Sequence, residues 1–175
     1  ALAVAGGSRA WLPALAALVG AILIQIGCNL VNDYADFHKG ADTADRLGPV
    51  RATAKGWLTP RQVAAGAALA LAGGALVGVY LTYVGGWPIL ALGVASLLAA
   101  VAYTAGPFPL GYHGLGDLFV LLFFGFGATA GTTWVVAGAV PAAAWWAGAG
   151  VGALATAILV VNNLRGIIKV AAVKA

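Results

Sequence analysis

The stretch from Asn29 to Arg61 reads NLVNDYADFHKGADTADRLGPVRATAKGWLTPR, and it separates two long apolar runs. Four of the five acidic residues of the chain lie in this stretch, together with five of its nine lysines and arginines. Because the sequence on both sides is apolar, this stretch is where polar chemistry is expected.

The first part of the stretch predicts a helix with one oxygen-rich face. At about 100° per residue, five residues fall within a single stripe: Gln25, Asn29, Asn32, Asp33 and Asp36. Two carboxylates three residues apart at the end of a membrane helix suit Mg²⁺, which is held by one or two carboxylates, waters and phosphate oxygens. The alternative is that Asp33 and Asp36 only mark the point where the helix leaves the membrane, but a helix exit does not require Gln25 and Asn29 deeper on the face.

The composition predicts an integral membrane protein. Hydrophobic residues make up 62% of the chain and charged residues only 8%, which is typical of all-α, polytopic transmembrane helical bundles. The single Cys28 excludes a disulfide within the chain. The net charge of +4 comes from cations clustered in loops, so no nucleic-acid-binding face is expected.

Five stretches approach the length of about 20 apolar residues that a membrane-spanning helix needs. They are residues 10–33, 61–84, 87–104, 118–140 and 141–164. Lysine and arginine concentrate between the first two spans and after the fifth, which predicts a cytoplasmic location for both regions.

Two connections have recognisable signals. Thr59 and Pro60 predict a capped helix start for the second span. The segment at 103–117, YTAGPFPLGYHGLGD, is rich in Gly and Pro and is predicted to be non-helical. Tyr103 and Tyr112 in this segment are candidates for the mouth of a pocket, and Asp117 is interpreted as the cap of the fourth span.

Glycines spaced four residues apart predict close approach of helices. Such a spacing lets membrane helices pack tightly and is more often a packing device than a site. The pairs are Gly74 with Gly78, Gly127 with Gly131, and Gly148 with Gly152.

The polar stretch as a whole suggests a substrate class. Four cations follow the carboxylates in the loop: Lys39, Arg46, Arg51 and Lys55. Carboxylates that hold Mg²⁺ beside cations that hold phosphate would fit a diphosphate, and the apolar interior would fit a hydrocarbon tail. The residues therefore predict a lipid diphosphate substrate whose departing diphosphate is stabilised electrostatically.

Several segments resemble one enzyme family. NDYAD at 32–36 resembles the first aspartate-rich motif of the UbiA-type membrane prenyltransferases. Four further segments are most similar to the 1,4-dihydroxy-2-naphthoate polyprenyltransferases of that family: KGADTADRLGPVR at 39–51, YTAGPFPLGYHGLGD at 103–117, FFGFGATAGTTWV at 123–135 and NNLR at 162–165. The resemblance covers nearly the whole chain up to Arg165.

The resemblance implies an activity and a location. It implies transfer of a polyprenyl group from a polyprenyl diphosphate to 1,4-dihydroxy-2-naphthoate, with decarboxylation to demethylmenaquinol and with Mg²⁺ as cofactor. It also implies a single domain over residues 1–175 in the bilayer of a bacterial cell membrane, with the active site toward the cytoplasm. Such a domain has about nine helices of about 20 residues, of which about five are expected here.

The resemblance also implies residue roles. The first motif contains Asn29, Asn32, Asp33 and Asp36, with Asp33 and Asp36 as the metal ligands. The diphosphate side contains Lys39, Asp42, Asp45, Arg46, Arg51 and Arg165. Asn162 and Asn163 open the second motif and, with Tyr103 and Tyr112, form a possible acceptor pocket.

The second motif departs from the family pattern. After NNLR the chain reads GIIKVAAVKA, with Gly166 and Val170 where the family has aspartates, so residues 166–175 are an atypical tail. A shifted frame or a chimeric assembly is one hypothesis for it. We also expect that the chain, which has no Met, begins inside a longer protein. The 175-residue chain alone is therefore expected to turn over little substrate, and Mg²⁺-dependent transfer by the purified chain would contradict this.

Other functions fit parts of the sequence. A UbiA-type enzyme with another aromatic acceptor, such as homogentisate, 4-hydroxybenzoate or a chlorophyllide, would share most motifs. A transporter or channel module would also place acidic residues within membrane helices, although transport favours acids near the midplane. A nonfunctional remnant is the third alternative.

Overall fold

Five helices and one short 3₁₀ helix form the regular structure of the described chain. A computed structural model describes residue 7 and residues 10–39, 51–105 and 107–173, without the side chains of 112 and 165–173. The elements are α1 (Trp11–His38), α2 (Pro60–Gly85), α3 (Trp87–Ala102), the 3₁₀ helix Leu110–His113, α4 (Gly116–Ala137) and α5 (Ala142–Val173). The predicted all-α class is confirmed.

Four of the helices, α1, α2, α4 and α5, are long and apolar enough to cross a membrane. The prediction of five full spans is wrong for α3, which has 16 residues and a length of about 24 Å against a hydrocarbon core of about 30 Å. It ends at Ala102 because the Gly- and Pro-rich segment follows, and Gly111 N–H donates to Tyr103 O at 2.9 Å.

Two details of the segment at 103–117 also differ from the prediction. Residues Leu110–His113 form a 3₁₀ turn, and α4 already begins at Gly116. The N-cap of α4 is Leu115, without a side-chain cap, so the interpretation of Asp117 as the cap is wrong. Asp117 instead lies in the first turn, where a negative charge stabilises the helix dipole.

Small residues let α1 and α2 run antiparallel in close contact. The facing pairs are Gly20 with Val77, Gly27 with Leu71, and Gly66 with Leu30. At the end where α1 begins, Ile89, Val135 and Val136 form an apolar cluster. The carboxylates of α1 therefore lie at the opposite end of the bundle from this cluster.

The glycines predicted to lie at helix contacts do so in most cases but not in all. Gly148 and Gly152 of α5 face Gly125 of α4, backbone against backbone, which confirms their predicted packing role. The side chain of Leu92 packs on Gly127 and Gly131, and Ile24 packs on Gly74. A Cβ atom at Gly78 would meet no packing neighbour within 4 Å among the described residues, so the prediction is wrong for that residue.

The start of α2 is fixed by a capping box, as predicted from Thr59 and Pro60. Gln62 N–H donates to Thr59 Oγ1 at 3.3 Å, and Thr59 N–H donates to Gln62 Oε1 at 2.8 Å. We expect Thr59→Ala to lower the free energy of unfolding by about 1 kcal/mol, because the Gln62 N–H loses its acceptor and the Gln62 side chain loses the hydroxyl that helps to hold it.

Thermal unfolding in detergent measures the effect of Thr59→Ala. Thr82→Ala in the same helix is the matched control, since it leaves the capping box intact. Equal unfolding temperatures for the two variants would contradict a stabilising cap.

Candidate active site

Two buried carboxylates lie near the end of α1. Asp33 is 5% exposed and Asp36 is 8% exposed. The helix continues to His38, five residues beyond the predicted end of the span at Asp33, so both carboxylates lie inside the last two turns. Burial of an ionised carboxylate is costly unless it is paired or hydrogen-bonded, which makes their partners the central feature of the site. The alternative of two carboxylates that only mark a membrane exit does not explain this burial.

Residues 52–55 form one helical turn beside the two carboxylates. The turn ends in a Schellman motif: Trp57 N–H donates to Ala52 O and Gly56 N–H donates to Thr53 O, both at 3.0 Å. Gly56 has φ +70°. A Schellman motif needs this left-handed conformation at the residue directly after the helical turn, and glycine adopts it without strain. The turn is therefore a defined structure, held by its own backbone hydrogen bonds.

Asp33 accepts hydrogen bonds from the start of this turn with both of its oxygens. Ala52 N–H donates to Oδ2 at 2.9 Å, and the Thr53 hydroxyl donates to Oδ1. Asp33 thus caps the turn as an N-cap side chain caps a helix, although it comes from a residue 19 positions earlier. The contact fixes the turn against α1.

Asp36 forms an ion pair with Arg51. Arg51 Nη2 lies 2.9 Å from Asp36 Oδ2, and the two side chains are 19% and 11% exposed. Arg51 Nη1 also donates to Asn29 O at 3.4 Å. Because the pair is largely shielded from water, its attraction is stronger than that of a surface pair. The cationic loop and the acidic face of α1 therefore meet.

Thr104, just after α3, joins two more residues of the α1 end. Its hydroxyl donates to Asn32 Oδ1, and its backbone O accepts from Lys39 Nζ at 2.6 Å. Thr104 is 5% exposed, so these contacts are enclosed. Asn32, Asp33, Asp36, Lys39 and Arg51 consequently form one polar cluster, held from both sides.

Other predicted residues lie elsewhere. The Gln25 and Asn29 side chains are exposed, so the buried part of the predicted face is shorter than the sequence indicated. Asn162 and Asn163 are exposed on α5, and no hydrogen bond among the described residues links them to α1. Asp42, Asp45 and Arg46 lie outside the described residues, as do the side chains of Tyr112 and Arg165.

Tyr103 occupies the connection between α3 and α4. A Cβ atom at Gly116 would lie 2.8 Å from the Tyr103 hydroxyl, so the phenol packs directly on the start of α4. Burial raises the pKa of the Tyr103 phenol, with Cys28 and Asp117 as smaller causes. The phenol therefore stays protonated at neutral pH and keeps its hydrogen-bond donor.

Thr53 and Thr104, which hydrogen-bond to residues of the cluster, were not among the sequence-predicted site residues. Thr53 lies just after the family-like segment at 39–51, and Thr104 lies within the one at 103–117, but nothing in either pattern distinguishes these threonines from their neighbours. Their role depends on contacts across 20 and 72 residues of sequence. Only the folded chain brings them to α1.

A separate groove of about 470 Å³ lies between the ends of α1 and α2. Its lining includes Tyr34, His38 and Arg61 but neither carboxylate. At about 100° per residue, Tyr34 and His38 face away from Asp36 on α1. The groove is therefore not part of the polar cluster.

The carboxylate oxygens of the cluster fit a hard divalent cation whose other ligands are waters and phosphate oxygens. Among the described residues no group of three or more His, Cys, Asp or Glu side chains comes together, so a cage made of protein alone is not present in that part of the chain. Mg²⁺ does not need one, because one or two carboxylates suffice when waters and phosphate oxygens complete its shell. Each oxygen of Asp33 accepts one hydrogen bond and keeps further acceptor capacity.

Comparisons with known proteins agree on one family. The profile of the UbiA prenyltransferase family matches residues 1–171. The chain is 40% identical over 180 residues to 1,4-dihydroxy-2-naphthoate octaprenyltransferase of Escherichia coli K12, covering 94% of the chain and 58% of the relative. The protein of the same name from Mycobacterium tuberculosis is 41% identical, over 90% of the chain and 53% of the relative. That from Haemophilus influenzae is 37% identical, over 86% of the chain and 51% of the relative.

The matches cover only part of each relative. The chain spans little more than half the length of the curated relatives that it matches. No solved structure gives a significant match.

Proposed function

The chain belongs to the UbiA prenyltransferase family, and on that premise we propose that the complete protein prenylates 1,4-dihydroxy-2-naphthoate. The donor is an allylic polyprenyl diphosphate, and the product is demethylmenaquinol. In the net reaction the allylic C–O bond breaks, a C–C bond to the ring forms, and the ring carboxylate leaves as CO₂ with its bonding electrons returned to the ring. The names of the relatives support this acceptor.

The observation that carries the proposal is the enclosed polar cluster at one end of an apolar bundle. Asp33 and Asp36 are buried there, and Arg51 and Lys39 bring positive charge to within hydrogen-bonding distance of the same α1 end. A lipid diphosphate has matching parts, because its head is anionic and its tail is apolar. The long helices α1, α2, α4 and α5 expose large apolar side chains, which supports a bilayer setting.

We propose that Mg²⁺, when bound, screens the charge that builds on the departing diphosphate. Asp33 and Asp36 are the residues that would hold it, with Asn32 beside them in the cluster and Asn29, exposed one turn earlier on α1, as a further candidate. Arg51 and Lys39 bind diphosphate oxygens and orient the leaving group, with Arg46 and Arg165 as further candidates. Such preorganised charges act where charge develops and lower the barrier most in a site closed to water.

The acceptor is proposed to bind on the side of the α3–α4 connection. Tyr103 offers a protonated phenol there, and Tyr112, Asn162 and Asn163 are further candidates for the pocket. A neutral hydrogen-bond donor can orient a ring hydroxyl without repelling an electron-rich ring. We propose that the site opens toward the cytoplasm of a bacterial cell, because the loop before α2 and the end of α5 carry most of the cations.

The test is an assay of membranes that contain the protein expressed from its complete reading frame. Radiolabelled polyprenyl diphosphate is supplied with 1,4-dihydroxy-2-naphthoate labelled at its carboxylate, with and without Mg²⁺. The expected result is a prenylated product and one released CO₂ per product, only when Mg²⁺ is present.

Other outcomes of the assay separate the alternatives. A product formed with 4-hydroxybenzoate or homogentisate instead would overturn the acceptor but not the reaction class. Cation flux in proteoliposomes without any prenylated product would overturn the reaction class. Acidic residues near one end of α1, rather than at its midplane, do not favour transport.

A further inference from the structure

Thr53 places a buried hydroxyl against a proposed metal ligand. The residue is 5% exposed, and its hydroxyl donates to Asp33 Oδ1. The Asp33 carboxylate is equally buried, and its second oxygen accepts from the Ala52 N–H at 2.9 Å. Two donors from adjacent residues thus hold the two oxygens of one carboxylate.

This arrangement fixes the rotation of the carboxylate. One hydrogen bond to the Ala52 N–H would leave the carboxylate free to turn about its own axis. A second donor on the other oxygen removes that freedom, and the donor is held by the Schellman turn at 52–57. The acceptor capacity that remains on each oxygen is then directed away from the turn.

We propose that Thr53 is a positioning residue that orients Asp33 toward the cation of the diphosphate substrate. The inference rests on the function proposed above. Groups that hydrogen-bond a metal-ligating carboxylate orient it, and their loss lowers metal affinity or activity about 10-fold to 100-fold. A threonine that only filled space would act through its methyl group, whereas a positioning threonine acts through its hydroxyl.

Two substitutions separate these roles. Thr53→Ser and Thr53→Ala both lose the methyl group, and they differ only in the hydroxyl. Thr53→Val keeps the volume and loses the hydroxyl, so it serves if the smaller side chain in Thr53→Ala prevents folding. Thr133→Val is the matched control, because Thr133 is also 5% exposed and donates only within its own helix, to Thr129 O at 2.7 Å.

The protein expressed from its complete reading frame is purified in detergent for two measurements. Bound Mn²⁺, as a probe for the Mg²⁺ site, is counted by electron paramagnetic resonance in the presence of a polyprenyl diphosphate. Prenyl transfer is then measured against Mg²⁺ concentration.

We expect Thr53→Ala and Thr53→Val to weaken Mn²⁺ binding about 10-fold or more and to raise the Mg²⁺ concentration for half-maximal transfer by a similar factor. Thr53→Ser and Thr133→Val are expected to stay within about threefold of the wild type, since both keep the hydrogen bond to Asp33.

The outcomes distinguish this inference from the proposed function. If the wild type is active and Mg²⁺-dependent, but Thr53→Ala and Thr53→Ser bind Mn²⁺ equally and need the same Mg²⁺ concentration, the positioning role alone is overturned. A wild type without Mg²⁺-dependent prenyl transfer would overturn the proposed function and the positioning role together. A loss in Thr133→Val as large as that in Thr53→Val would show a general effect of buried valine and would also overturn the inference.

Discussion

Asp33→Asn is expected to lower prenyl transfer by about 100-fold or more, without loss of the folded protein. The substitution removes one negative charge from an enclosed site, where electrostatic groups are worth more than in water. Removal of one preorganised electrostatic group from other active sites costs a factor of this size. Prenyl transfer in membranes at saturating Mg²⁺, normalised to the amount of protein, measures the effect.

The fold tolerates this substitution because the neighbouring groups can adapt. An asparagine oxygen can still accept from the Ala52 N–H, and its NH₂ group can donate to the Thr53 hydroxyl, which is able to accept as well as donate. The turn at 52–57 therefore keeps its cap. An alanine at this position would leave both donors without partners and would confuse loss of folding with loss of chemistry.

Asp117→Asn is the matched control for Asp33→Asn. It removes the same charge from the first turn of α4, where Asp117 is no proposed metal ligand and is the smallest of the three causes that raise the pKa of the Tyr103 phenol. Its expected cost is limited to the helix-dipole interaction, about 0.3–1 kcal/mol of stability. Wild-type transfer by Asp33→Asn, or an equal loss in both variants, would contradict a role for Asp33 in the reaction.

The helices and the acidic face follow from local patterns, which is why the sequence predicted them. Long apolar runs need internally bonded backbone in a bilayer, and this requirement makes them helices. The i and i+3 spacing of Asp33 and Asp36 places both on one side of any helix, whatever its neighbours are. The sequence also predicted Arg51 near these carboxylates, because a site for a metal-bound diphosphate needs both signs of charge, and Arg51 pairs with Asp36.

The remaining features depend on tertiary contacts, so no local pattern marks them. Gln25 has the right angle on the helix, yet its exposure is decided by which helices pack beside α1. The turn that follows α3 is closed by a contact within the Gly- and Pro-rich segment, from Gly111 N–H to Tyr103 O. Thr53 reaches the carboxylate of Asp33, 20 residues earlier in the chain, only because a Schellman turn holds it there.

Gly125→Ala is expected to destabilise the bundle by about 1–3 kcal/mol or more, the usual cost of an added methyl group in a closely packed site. A Cβ atom at this position would lie 2.6 Å from Gly148 O and 2.7 Å from Gly152 Cα. Both are backbone atoms and cannot rotate away, so α4 and α5 must separate along the contact. A lower unfolding temperature in detergent, by several degrees, is the expected measurement.

Gly150→Ala provides the control for Gly125→Ala, because it adds the same methyl group to α5 where no packing neighbour in the described part of the chain lies within 4 Å of the new Cβ atom. Its unfolding temperature is expected to equal or exceed that of the wild type, since alanine favours helix by about 1 kcal/mol over glycine. Gly148→Ala should fall between the two, with its nearest contact at 3.2 Å to Gly125 O. A different order of the three variants would contradict backbone contact as the cause.

We expect the separation of α4 from α5 to disturb the proposed acceptor pocket as well. The start of α4 is tied to α5 by the Thr156 hydroxyl, which donates to Asp117 O at 3.4 Å, and the neighbouring Gly116 packs on the Tyr103 hydroxyl. If α4 shifts, Tyr103 loses its support, whereas Asp33 keeps its hydrogen bonds from the turn at 52–57 and Asp36 keeps its ion pair with Arg51. Gly125→Ala is therefore expected to raise the KM for the aromatic acceptor several-fold more than that for the polyprenyl diphosphate. Equal changes in both KM values would contradict separate supports for the two sides of the site.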